Sequence, residues 1–120
     1  MPLTAYAPKD AERYKRHPDS ILFSPVLKSG DYVFVQDIEG KVWVLPNGCH
    51  VHPLVLGRAR PAVAAGELTI GRRGLIELIN NQSGTFQCGP DCLFTAIGGL
   101  IMQGAEVSPD AVRPYDEETL

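Results

Sequence analysis

Leu93-Phe94-Thr95-Ala96-Ile97-Gly98-Gly99-Leu100-Ile101 decides the fold. Leu93, Ala96, Ile97, Leu100 and Ile101 fall at i, i+3, i+4, i+7 and i+8, which puts an apolar stripe along one side of a helix. Pro90 suits the first turn of that helix and Gly104 suits its stop. Gly98-Gly99 costs about 1 kcal/mol per glycine relative to alanine. Keeping two glycines at that cost predicts a helix backbone lying close against something flat, and the segments upstream supply a sheet.

Upstream, the hydrophobic period is two rather than three to four. Tyr32-Val33-Phe34-Val35-Gln36 is β-branched and aromatic, Asp37-Ile38-Glu39-Gly40 is a turn, and Lys41-Val42-Trp43-Val44-Leu45 returns. Pro46-Asn47-Gly48 breaks that strand. A second hairpin runs up through Gly66-Glu67-Leu68-Thr69-Ile70, turns at Gly71-Arg72-Arg73-Gly74, and comes back through Leu75 to Asn80. Ala105-Glu106-Val107 forms a short strand after the helix. Lys9 to Arg16 reads as a short polar helix, and Ile21-Leu22-Phe23 as an apolar segment tucked under the sheet.

These elements predict an α+β protein: an antiparallel sheet of four to five strands packed by one main C-terminal helix, with a short N-terminal helix or arm. Its 120 residues suit a single domain, with an irregular arm over 1–30, a core over 31–107 and an acidic tail over 108–120.

Composition excludes several classes. Net charge is -3, and the densest basic stretch (Arg13, Lys15, Arg16) has Glu12 beside it, so no nucleic-acid partner is expected. The longest apolar stretch, Leu93 to Met102, is far short of the roughly 20 residues that span a bilayer. Three cysteines, an odd and sparse set, argue against a secreted disulfide scaffold and for a reducing compartment. The N-terminal residues lack a charged segment followed by an apolar run. The expected location is the cytoplasm, or export without a cleaved signal.

Residues 43 to about 107 carry a further pattern: His52-Pro53-Leu54-Val55-Leu56-Gly57, then Pro61-Ala62-Val63-Ala64-Ala65-Gly66-Glu67, then Leu75 to Asn80, then Asn81-Gln82-Ser83-Gly84-Thr85-Phe86. In order and spacing this resembles a domain shared by plant IQ-motif calmodulin-binding proteins and bacterial proteins of the secreted-toxin and effector kind. There a histidine precedes small residues, an Ala-Ala-Gly segment opens a strand, and Ser-Gly-His-Tyr precedes a helix. This chain departs where the pattern is most distinctive: Pro53-Leu54 replaces two serines and Thr85-Phe86 replaces His-Tyr. The resemblance implies a topology and an effector or toxin-system setting, without a catalytic assignment.

Three constellations carry chemistry. Cys88 precedes the helix and Cys92 lies in its first turn, where free N–H groups and the helix dipole favour a thiolate. A thiol-dependent hydrolase or transferase would need a histidine base. The only ones near in sequence, His50 and His52, lie upstream, so the candidate catalytic set is Cys88 with His52 and Glu67. Against it, Cys92 reads equally as a small buried hydrophobe and Cys88 as a turn residue. Cys49, His50, His52, Cys88 and Cys92 hold enough donors for zinc, but Cys88-x3-Cys92 is not the usual knuckle spacing, and neither metal nor cofactor is expected. Arg58, Asn80, Ser83 and Thr85 punctuate the resembling region as candidate ligand-binding groups. The same residues are ordinary turn formers. Arg72 and Arg73 read as a solvated turn tip. An interaction module with a protein partner is the favoured expectation, and the Cys-His enzyme is its rival.

Overall fold

The structure, a computed structural model, describes residues 18–46, 62–82, 89 and 91–114. Seven strands and one helix lie within them: β1 (Ile21–Leu22), β2 (Gly30–Asp37), β3 (Val42–Pro46), β4 (Ala62–Ile70), β5 (Leu75–Asn80), α1 (Cys92–Met102), β6 (Glu106–Val107) and β7 (Val112–Arg113). The strands form one sheet in the order β1-β3-β2-β4-β5-β6, with β7 also on β5.

Both expected hairpins are present. In the first, β2 and β3 pair from Tyr32 opposite Pro46 to Gln36 opposite Val42. Asp37 organises the turn: one carboxylate oxygen accepts the N–H groups of Glu39 and Lys41, each at 2.9 Å, and the other accepts Trp43 Nε1–H at 3.0 Å. This is the Asx-type turn chemistry that favours Asp at such positions. In the second hairpin, β4 and β5 are joined by a 3-10 turn at Arg72–Gly74, with Arg72 and Arg73 exposed at its tip. Gly74 has a φ of +76°, and a Cβ there would come within 2.6 Å of Pro25 Cα, so only glycine fits.

The α+β class is as expected, but the sheet is larger and mixed. β6 and β7 pair with β5 in parallel, after the chain has crossed over through α1. β7 falls within what composition marks as an acidic tail. Ile21 and Leu22 do not tuck under the sheet. They form the edge strand β1 against Trp43 and Val44, half exposed, and it is Phe23 that enters the core. The polar segment Lys9 to Arg16 lies outside the described residues.

Packing follows the two periods. On β2, Tyr32, Phe34 and Gln36 face α1, whereas Val33 and Val35 face away. The core under α1 gathers Phe34, Val42, Val44, Leu68, Ile70, Ile76 and Ile79 from the sheet and Cys92, Leu93, Ala96 and Leu100 from the helix. Burying such a side chain contributes about 1.5–3 kcal/mol. On the opposite face Val33, Val35, Leu45, Val63 and Ala65 are also buried, at 3% exposure or less. The sheet is therefore apolar on both sides, which explains the near-continuous hydrophobic run of β2.

Two glutamines fasten helix to sheet. Gln36, buried at 1% exposure, donates from Nε2 to Gly40 O at 2.9 Å and to Thr95 O on α1 at 3.1 Å. Gln103 accepts the Val42 N–H at 2.7 Å and donates to Phe23 O and Val42 O, each at 3.1 Å. It thus serves the Val42 N–H and the Phe23 carbonyl at the β1–β3 margin and adds a second bond to Val42 O, which also accepts the Phe23 N–H at 2.9 Å. The helix stops as the sequence predicts. Gly104 N–H bonds to Ile101 O at 3.0 Å, Ala105 N–H bonds to Leu100 O at 2.9 Å, and Gly104 takes a φ of +95°. That is a Schellman ending.

Candidate functional site

Of the candidate catalytic and ligand-binding residues, the structure describes Glu67 and Asn80, and it brings them together. Asn80 closes β5 where the β4–β5 ladder ends. Its Oδ1 accepts the Glu67 N–H at 3.0 Å and the Gln82 N–H at 2.9 Å, while Nδ2 donates to Glu67 Oε1 at 3.3 Å. The Asn80 amide thus stands in for the next rung of the ladder. Gly66 lies against the same place: a Cβ there would sit 1.9 Å from Asn80 O. That approach explains why a glycine precedes Glu67. With donor and acceptor both engaged, the Asn80 amide works as a strand-end clamp. Cys88, His52, Arg58, Ser83 and Thr85 lie outside the described residues, as do Cys49 and His50.

Cys92 differs from its expected state. It is buried at the start of α1, as a small hydrophobe should be, but it is disulfide-bonded. The chain's two other cysteines, Cys49 and Cys88, lie outside the described residues. A sulfur held in a disulfide is neither a thiolate nucleophile nor a zinc ligand. This removes Cys92 from both roles in the oxidised protein, and it removes the expectation that all three cysteines stay reduced. Among the described residues no group of three or more His, Cys, Asp or Glu side chains is placed to hold a metal ion.

The helix carries a feature that the sequence reading assigned elsewhere. Leu93, Ala96 and Leu100 are buried as expected, but Ile97 is only partly buried and Ile101 is 55% exposed. With Phe94 at 73% and Met102 at 88%, they form a second apolar stripe facing outward. The signal was in the sequence. Phe94 and Met102 lie off the inner stripe, and Cys92–Met102 contains no charged residue. A helix apolar all round calls for cover on both sides. The glycines divide in the same way. A Cβ on Gly99 would meet Gln36 Nε2 at 2.6 Å and Gly40 O at 2.7 Å, whereas a Cβ on Gly98 would meet nothing within 4 Å. Close approach to the sheet, expected of both, belongs to Gly99.

Two turns lie against α1. Ile38, 63% exposed, sits in the β2–β3 turn beside Gly99, and Val26, 89% exposed, sits in the turn whose Pro25 lies against Gly104. Apart from Ile21 and Leu22, every large hydrophobic exposed among the described residues is on α1 or on these turns. No helix among them is long and apolar enough to cross a membrane. No protein-family model, no curated protein and no solved structure matches this chain.

Proposed function

We propose that this chain works as a small interaction module whose docking surface is the outer face of α1. The observation that carries this reading is the exposure of Phe94, Ile101 and Met102 on a helix whose other side is fully engaged with the sheet. Scattered surface hydrophobics are ordinary, but a clustered stripe on one rigid element is the signature of a binding surface. Gln36, Gln103 and the Schellman ending hold that element in place, so its outer face is presented with little entropy left to lose on docking.

The resemblance to domains of effector and toxin-type proteins supports the same class and makes the chain an effector or toxin-system component, of bacterial origin. A disulfide at Cys92 fits an oxidising setting better than a reducing cytoplasm. We therefore place the working state outside the cytoplasm, among the exported alternatives.

Site-specific photo-crosslinking in producing cells tests the docking surface. A photoreactive residue at Ile101 should give discrete higher-mass adducts, and the same residue at Arg72, on the solvated turn tip, should give none. Equal labelling at the two positions, or no adduct at Ile101, would defeat the proposal.

A further inference from the structure

The geometry points to a second copy of this chain as the occupant of the outer face of α1, the two helices crossing antiparallel about a two-fold axis at Gly98. This deepens the interaction reading and rests on it.

The first support is self-complementarity. Phe94 and Met102 lie four residues to either side of Gly98, all three on the outer face, with Ile101 beside them. A two-fold axis at Gly98 sets Phe94 of each copy against Met102 of the other, a thioether-on-aromatic contact. Gly98 is the notch that such a crossing needs, because the space where its Cβ would stand is open.

Charge is the second support. Cys92–Met102 carries no acidic or basic side chain, so an uncharged surface suits it, and a copy of the same helix offers one; the exposed Glu39 and Lys41 lie on the β2–β3 turn and pair with each other at 3.7 Å. A lipid surface fits less well. Interfacial helices pair their apolar face with a cationic one, and α1 offers no Lys or Arg.

Area is the third. Phe94, Ile101 and Met102, with Ile38 and Val26 on the turns that lie against α1, leave apolar surface exposed on the order of the few hundred Å² that the largest patch on a monomer reaches. One partner in a standard interface contributes about 800 Å². The patch therefore suits the apolar centre of a modest dimer.

Sedimentation equilibrium from about 1 to about 200 μM, the span in which such an interface titrates, provides the test. The wild-type chain should move from the mass of one chain to that of two. Phe94→Glu, at an exposed position and checked for folding by circular dichroism, should weaken association at least 100-fold. Met102→Lys should do the same. The double variant Phe94→Glu/Met102→Lys should recover most of the association, because the two-fold sets each introduced carboxylate against an introduced ammonium of the other copy. Within one helix those positions are about 12 Å apart and cannot pair. A wild-type chain of single mass over the whole range overturns the dimer, as does a double variant no better than Phe94→Glu alone. If that monomer still gives crosslinked adducts with another protein at Ile101, only self-association falls. If it floats with phosphatidylcholine vesicles, the occupant is lipid. If it does neither, the interaction reading falls too.

Discussion

The inner and outer sides of α1 are built from the same kinds of residue and do opposite things. Inward, Cys92, Leu93, Ala96 and Leu100 are at 1% exposure or less; outward, Phe94, Ile101 and Met102 are more than half exposed. Gly99 and Gly98 are neighbours in sequence, yet one is pressed against Gln36 and Gly40 and the other faces open space. Composition therefore cannot tell the buried side of this helix from the exposed one. Position on the helix wheel does, because only one side has strands to meet.

The largest expected effect lies at the head of the inner side. Breaking the Cys92 disulfide should lower stability by about 4 kcal/mol if the partner is Cys49, which closes a long loop, and by about 2 kcal/mol if it is Cys88, which closes a short one. Urea unfolding with and without reductant, together with peptide mapping under non-reducing conditions, measures both quantities. No change on reduction would mean that the bond contributes nothing to the inner face. Next, Leu100→Ala should cost about 3 kcal/mol by leaving a cavity between α1 and the sheet, whereas Ile101→Ala, one residue on, should stay within about 0.5 kcal/mol in the monomer. Similar losses at both positions would collapse the distinction between the two sides. Gln103→Leu should cost about 2 kcal/mol, since it strands the Val42 N–H and the Phe23 carbonyl at the sheet margin.

Much of the fold was legible because two periods dominate the chain. The β-branched and aromatic run of Tyr32–Gln36, the return strand Leu75–Asn80, the glycine-flanked turns and the i, i+3, i+4 stripe each report a local preference that the packing then satisfies. What escaped had no local signal. β1 and β7 are two residues each, too short to show a period, and exist because β3 and β5 offer them an edge; β6 was expected as a strand, but its parallel pairing with β5 was not. β4 reaches back to Ala62 through Ala64 and Ala65, residues of low strand propensity that pair because Val35 and Gln36 stand opposite. The clamp of Asn80 on Glu67 joins two residues first noted as chemistry and gives both a structural partner. The disulfide was hidden by parity: three cysteines suggest none, but leave room for one bond and a spare thiol. The outer stripe was visible as residues and invisible as a surface, because the inner stripe alone accounted for the helix.

The smallest effect probes the comparison most cleanly. Gly98 and Gly99 have equal intrinsic cost in a helix, so replacing each with alanine isolates surroundings from propensity. Gly98→Ala gains about 1 kcal/mol of helix propensity and meets no atom, so it should stabilise the monomer by about that amount. Gly99→Ala gains the same propensity but drives a methyl group to 2.7 Å from the Gly40 carbonyl and 3.1 Å from Val42 Cγ2. Overpacking of that kind costs about 1–3 kcal/mol and should leave a net loss. Measuring both in the Phe94→Glu background keeps self-association out of the unfolding curves. A shift of the same sign for the two alanines would mean that α1 does not lie against the β2–β3 turn as described, and the assignment of an inner and an outer face would go with it.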